Sequence, residues 1–490
     1  MPIKDRDLLS VQEARDLVAA AKAAQKVLGA MGQAEVDTLV DAAARAAADS
    51  AERLAKMAHE ETGFGTWRDK TLKNLFAAQT VTEAMRGLRT VGVLREDERR
   101  RLIEVAVPVG VIAGLIPSTN PTSTVIFKTL IALKAGNAII FSPHPNAREC
   151  IQETVRVLSE ALSAAGAPKG LVSCMTVLTR EGTSELMRHR DVALILATGG
   201  SEMVHAAYSS GTPAIGVGPG NTPAFIERTA DVPTAVRRII ESKTFDYSTI
   251  CASEQSVVAD APVERAVREE FARQGGRFLS PDEAARVASV IFNAAGKMNA
   301  RLVGRSPQMI GEAAGVAVGP DVRVLLAEQS GVGRKFPFSQ EKLCPVLAFY
   351  TEDGWENACE RCLELLNYEG AGHTLAIHSQ DERVVREFGL KKPVSRIIVN
   401  AGSSLGGVGG TTSLLPSLTL GCGAAGHNAT SDNVGPLNLL NVRRVAWGLR
   451  EIGELYPESL SPKGTGLDDP GMDALVGRIV DELAVRLGLD

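Results

Sequence analysis

From Val107 to Gly218 the chain alternates short apolar runs with helix-like segments, and this alternation constrains the fold more than any other feature. The runs VGVIAGLIP, NAIIFSP, LVSCMTV, VALILAT and PAIGVG read as buried strands. Helix-like stretches separate them, such as Ala147 to Ala165 and Ser201 to Ser209. Strands alternating with helices imply right-handed crossovers and a mostly parallel sheet. Ligands bind such sheets beyond the carboxyl ends of the strands. Four segments therefore matter most: Ser118-Thr119-Asn120-Pro121, Ser142-Pro143-His144-Pro145, Thr198-Gly199-Gly200 and Gly218-Pro219-Gly220-Asn221.

A second α/β stretch runs from near Lys243 to near Asn400, with VLAFY, HTLAIHS and SRIIVN as its strands. Glycine-rich GSSLGGVGG and GCGAAGH then return the chain toward the first half. At 490 residues there is enough chain for two or three domains, here two α/β domains with a cleft between them. Upstream, Ser10-Val11-Gln12-Glu13 has the capping-box form and predicts a helix start. A second helix, roughly Ala34 to Thr62, puts Val36, Leu39, Val40 and Ala43 on one face. The run REDERRR (Arg95 to Arg101), between β-rich TVGVL and LIEVAVPVGV, predicts a solvated hairpin turn.

Charge and composition exclude several classes. A net charge of -5, with 23% charged and 44% apolar residues, fits a soluble globular protein without a nucleic-acid partner. No apolar run reaches the roughly 18 residues that span a bilayer, and MPIKDRDLLS lacks the pattern of a signal peptide. The seven cysteines are scattered, and although Cys359 and Cys362 have C-x-x-C spacing, no second pair completes a zinc site. A cytoplasmic protein with reduced thiols and no metal is expected.

Two segments carry candidate chemistry. Thr198-Gly199-Gly200-Ser201, between a strand and a helix, could receive a dinucleotide pyrophosphate at the helix N-terminus. No G-x-G-x-x-G follows any strand, and such a turn alone is more often an ordinary tight turn. Cys251 lies in SKTFDYSTICASEQS, rich in hydroxyls, where a cysteine by itself is usually a small buried hydrophobe.

Long segments decide between these readings. GLIPSTNPTSTVIFKTLIALKAGNAIIFSPHP, LILATGGSEMVHAAYSSGTPAIGVGPGNTP, SKTFDYSTICASEQSVV, FSQEKLCPVLAFY, GAGHTLAIH and LPSLTLGCG resemble, in order, the aldehyde dehydrogenase superfamily, most closely its CoA-acylating branch. The resemblance implies a Rossmann-type cofactor domain over 1–240 with an oligomerisation hairpin at about 90–107. It further implies an α/β catalytic domain over 241–405, then a return and C-terminal oligomerisation arm over 406–490. Residue by residue, it makes Cys251 the nucleophile, Asn120 the oxyanion donor beside the Cys251 N–H, and His373 a base for a thiol. Ser118, His144, Gly199, Gly200, Val217, Gly218 and Glu341 become cofactor contacts, with Gly199 and Gly200 facing the pyrophosphate and Glu341 the nicotinamide ribose. The cofactor is NAD or NADP; Arg148 stands near enough in sequence to meet a 2′-phosphate, but reads better as a solvent-facing helical arginine.

The hydrolytic branch carries a water-activating glutamate in an E-L-G-G-K stretch. Here the corresponding residues are Ile215-Gly216-Val217-Gly218-Pro219-Gly220-Asn221, without an acid. A thioester without a positioned base resists water and yields readily to a thiol, and the resemblance names that thiol as coenzyme A. The aldehyde is acetaldehyde or another C2–C4 aldehyde. Sulfoacetaldehyde is the alternative, if Tyr247-Ser248-Thr249, Thr411, Thr412, Ser413 and His427 make the pocket polar. Rivals are a hydrolytic dehydrogenase, an acyl-phosphate reductase and a non-catalytic scaffold subunit. The hairpin and the tail after Asn433 suit a homodimer or homotetramer.

Overall fold

The computed structural model describes residues 4–456 and 470–488. The five apolar runs form the strands Val111–Leu115, Ala138–Ser142, Val172–Cys174, Val192–Thr198 and Ala214–Val217. All pair in parallel, with Val111–Leu115 central. Leu115 pairs with Ser142 on one side and with Ala197 on the other. The connections therefore leave the central strand in opposite directions, which opens a crevice beyond Leu115 and Thr198.

Helices Arg6–Leu28, Gln33–Asp49, Pro121–Lys134 and Arg148–Ala164 send Val18, Val40, Leu130 and Leu158 into one core with Ile112, Ile139 and Ile195. Each such side chain contributes about 2 kcal/mol by leaving water. Pro121 opens its helix where no N–H is needed, and every residue of that helix is buried. Two helix boundaries differ from expectation. The first helix starts at Arg6, because Asp5 accepts from the N–H groups of Asp7 and Leu8. Ser10 and Glu13 make no capping box: Ser10 donates to the Val177 carbonyl, and Glu13 accepts from the N–H groups of Thr176 and Val177. The Ala34 to Thr62 stretch is two helices, Gln33–Asp49 and Ala51–Thr62, separated at Ser50.

The second sheet has seven parallel strands in the order Gly276–Phe278, Val324–Glu328, Val346–Glu352, Glu254–Asp260, Thr222–Ile226, Gly372–His378 and Val394–Val399. The chain passes from the first sheet at Val217 to the second at Thr222 across Gly218-Pro219-Gly220-Asn221.

Two compact units result. One comprises the chain up to Leu94 and Ala106–Val442, and it holds both sheets. The other comprises Arg95–Val105 and the residues from Arg443 onward. Much of a three-stranded sheet, Val93–Asp97, Leu102–Pro108 and Leu440–Ala446, belongs to it, as does the helix Pro470–Leu487. Inside this second unit Arg444 pairs with Glu104 at 3.0 Å, and the Arg101 guanidinium lies over the Trp447 ring. Arg99, Arg100 and Arg101 are exposed, as a solvated turn requires. Of the expected C-terminal arm, 457–469 and 489–490 lie outside the described residues. No described helix is long and apolar enough to cross a membrane.

Candidate active site

Cys251 stands just before the strand Glu254–Asp260, after a segment with unusual backbone. Asp246, Tyr247 and Ser248 have φ of 46, 48 and 68°, the left-handed region that costs a non-glycine residue on the order of 1 kcal/mol or more. Contacts of the buried Asp246 hold it there. Its carboxylate accepts from Thr66 N at 2.7 Å, Lys70 Nζ at 3.0 Å and Thr249 Oγ1 at 2.6 Å, and it also binds Lys73 Nζ. Burial opposes its charge, yet Lys70 and Lys73 hold its carboxyl below the usual range. Burial also pushes Lys73 down to about 8, against the pull of Asp246.

Asn120 lies at the start of the helix Pro121–Lys134, just beyond the central strand of the first sheet. Its Oδ1 accepts from Lys73 Nζ at 2.5 Å, and its Nδ2 donates to the Thr249 carbonyl at 2.9 Å. The remaining Nδ2 bond, to Thr119 Oγ1, is long at 3.3 Å, so a substrate oxygen can replace it.

A cavity of about 240 Å³ brings together Cys251, Asn120, Ser118, His144, Gly199, Gly200, Val217, Gly218 and Glu341. Gly199 and Gly200 connect Val192–Thr198 to the helix Ser201–Tyr208. Nothing lies within 4 Å of where a Gly200 β-carbon would stand, so the backbone there is open to a phosphate. His144 is half-buried and accepts from Asn146 N through Nδ1, while burial lowers its pKa. Arg148 is exposed and paired with Glu149 at 3.4 Å.

Gly220 packs against Cys251: a β-carbon there would lie 2.0 Å from the Cys251 carbonyl oxygen and 3.3 Å from His373 Cδ2. Its N–H donates to Glu341 Oε1 at 2.9 Å. Burial, reinforced by Glu369, raises Glu341 to about 8. Burial, Glu341 and Cys422 raise Cys251 to about 12, with Arg396 opposing. His373 is fully buried behind Gly220 and does not line the cavity. Its Nδ1 lies 2.9 Å from Thr374 Oγ1, its Nε2 has no partner, and burial and Arg396 lower it to about 3.

A second cavity, of about 260 Å³, shares Lys73, Ile250, Val408 and Leu418 with the first. Phe76, Phe245, Leu72 and Leu405 make it apolar. Thr411, Thr412, Ser413 and His427 line neither cavity, and Thr412 donates to the Gly406 carbonyl instead. Among the described residues no group of three or more His, Cys, Asp or Glu could hold a metal, and all seven cysteines are free.

Cys251, the Asn120 amide and the open Gly199-Gly200 turn thus share one cavity. Residues 2–408 match the aldehyde dehydrogenase family. The chain belongs to that family. It is 46% identical over 442 residues to the bifunctional aldehyde-alcohol dehydrogenase AdhE of Escherichia coli (strain K12), covering 89% of this chain and 50% of that protein. The chain thus spans about half the length of this curated relative. Among solved structures, a probable aldehyde dehydrogenase from Listeria monocytogenes EGD-e is 58% identical with a TM-score of 0.91, covering 92% of this chain and 100% of that one. An acetylating aldehyde dehydrogenase from Geobacillus thermoglucosidasius is 53% identical with a TM-score of 0.90, covering 92% and 99%.

Sequence reasoning did not single out Lys70, Lys73 or the role of Asp246. The lysines' spacing of three on the helix Trp67–Leu75 was visible, but their partner lies more than 170 residues away.

Proposed function

We propose that this protein oxidises a short-chain aldehyde with NAD or NADP and transfers the acyl group to coenzyme A. The convergence of Cys251, the Asn120 amide and the Gly199-Gly200 turn on one cavity, with no acid in 215–221, carries the reading. Cys251 gives up its proton to water in the open cavity, its sulfur bonds to the aldehyde carbon, and the carbonyl electrons move onto oxygen. Asn120 Nδ2 and the Cys251 N–H hold that oxyanion. The nicotinamide supplies a hydride acceptor. Ser118, His144, Val217 and Gly218 would flank the cofactor, Gly199 and Gly200 would receive its pyrophosphate, and Glu341 its ribose. Loss of hydride from the former aldehyde carbon re-forms the carbonyl as a Cys251 thioester. Coenzyme A, its thiol proton released to water, attacks that carbon, and Cys251 leaves as thiolate.

Water is a poor competitor. Glu341 is the carboxylate lining the cavity, and with a pKa of about 8 it is protonated at neutral pH and cannot serve as the base. His373, at about 3, is too weak to store a thiol proton, and it sits behind Gly220 rather than on the cavity wall. The apolar second cavity suits the tail of a C2–C4 aldehyde such as acetaldehyde. A sulfonate would find no free cation there, because the Lys73 ammonium is engaged by Asp246, Asn120 and Thr249. With this function go a cofactor-binding part built on the first sheet, a catalytic part built on the second, and a homodimer or homotetramer assembled through the second unit.

The test is NAD(P)H formation from acetaldehyde, and separately from sulfoacetaldehyde, with and without coenzyme A. Sustained turnover that requires coenzyme A, faster with acetaldehyde, is the expected result. Equal turnover without it, releasing free acid, would refute the acylating reading.

A further inference from the structure

Lys73 Nζ has three donors and three acceptors: Asn120 Oδ1 at 2.5 Å, Thr249 Oγ1 at 2.9 Å, and Asp246 Oδ2. The amide it touches has one workable orientation. Turned over, Asn120 would set its NH2 against an ammonium and its oxygen against the Thr249 carbonyl, two repulsive contacts in place of two bonds. The ammonium also draws electron density from the amide oxygen, which makes the amide N–H a stronger donor to an anion.

The rest of the cluster links this lysine to the nucleophile's own segment. Thr249, two residues before Cys251, accepts from Lys73 through its hydroxyl, donates that hydroxyl to Asp246, and offers its carbonyl to Asn120. The left-handed backbone at Asp246–Ser248 accompanies this arrangement, with Asp246 meeting the helix Trp67–Leu75 and Thr249 meeting Asn120. Lys73 lines both cavities where they meet beside Cys251. Lys70 shares Asp246 and is equally buried, but it donates to the Thr119 carbonyl and makes no contact with the Asn120 amide.

We propose that Lys73, held by Asp246, is a positioning residue that fixes the orientation of the Asn120 amide and strengthens it as the oxyanion donor when Cys251 adds to the aldehyde. This inference rests on the oxidation step proposed above. Lys70 is the internal control, because losing it removes the other of the two buried ion pairs to Asp246 without touching the amide.

The experiment mixes enzyme, NAD(P) and acetaldehyde rapidly without coenzyme A and follows the single-turnover burst of NAD(P)H. In Lys73→Met the burst rate should fall about 100-fold or more, the loss typical of a missing oxyanion donor. Cofactor affinity and Cys251 alkylation by iodoacetamide should stay within about threefold, a range too small to mark a changed mechanism. Lys73→Gln, which can still donate to Asn120 but lacks the charge, should fall between Met and wild type. Lys70→Met should lose comparable thermal stability yet keep its burst within about threefold. If Lys73→Met does not fold, Lys73→Gln, which leaves Asp246 paired with Lys70, carries the comparison and should still lose at least about tenfold in burst rate. A burst near the wild-type rate in a folded Lys73 variant, or an equal loss in Lys70→Met, would overturn the inference. A wild-type enzyme without any burst would instead overturn the oxidation step itself.

Discussion

Burial sets the charge around Cys251. Cys251 is pushed up to about 12, Glu341 up to about 8 and His373 down to about 3, so at neutral pH all three are uncharged in the cofactor-free protein. For Glu341 this is also a statement about stability. The unfolded chain releases the proton from about 4.5, whereas the folded protein holds it to about 8. The favourable contribution of the neutral form is whole below 4.5 and is lost as pH rises through 8. Glu341→Gln stays neutral throughout. It should match wild type near pH 4 and exceed it increasingly up to pH 8, by on the order of 5 kcal/mol at most. Thermal melts across that range read the difference, and a constant offset would contradict it. The same variant should raise KM for NAD(P) through the lost ribose contact. At this scale the sequence was legible unevenly. Cys251, Asn120 and Glu341 stand in segments whose family likeness named them, and all three line one cavity. Lys73 was not legible, because its role depends on Asp246 and Asn120, which come close only in the fold.

At the scale of elements, the link Gly218-Pro219-Gly220-Asn221 carries both the passage between sheets and the wall behind the nucleophile. Gly220 is required there by close approach, since any β-carbon would strike the Cys251 carbonyl. Gly220→Ala, with its β-carbon 2.0 Å from the Cys251 carbonyl oxygen, should therefore displace Cys251 by about 1 Å, and such misplacement costs about 100-fold in rate. Gly200→Ala, where nothing lies within 4 Å, should leave the fold intact and act through cofactor KM. Comparing kcat with KM for the two variants checks this, and equal effects on both constants would contradict it. The strands of both sheets were readable because runs such as VALILAT and PAIGVG are buried on both faces and bounded by turn residues. Helix starts were less so. Ser10 to Glu13 has the letters of a capping box, but Asp5 caps first, and the serine and glutamate serve long-range contacts to Thr176 and Val177.

For the whole molecule, the surface is the remaining signal. Among the described residues, 14 of the 25 exposed large hydrophobic side chains belong to the smaller unit of Arg95–Val105 and Arg443 onward. On the helix Pro470–Leu487, Met472, Val476, Ile479 and Leu483 recur at spacings of four, three and four and so share one face. Val445, Trp447 and Leu449 are at least 44% exposed. Water-exposed apolar area of this density is uncommon on a monomer and marks an interaction surface. A second copy of the chain meets it most simply, since a two-fold interface places the same patch on both sides. Sedimentation at micromolar concentration should accordingly give two or four times 51.8 kDa. Val445→Asp with Leu449→Asp should shift that mass toward one chain, because each carboxylate would have to be buried without a partner. The active-site residues all belong to the larger unit, so the burst of NAD(P)H should survive the dissociation. A wild-type chain that sediments at 51.8 kDa would refute the assembly, and a variant that keeps its full mass would place the interface elsewhere.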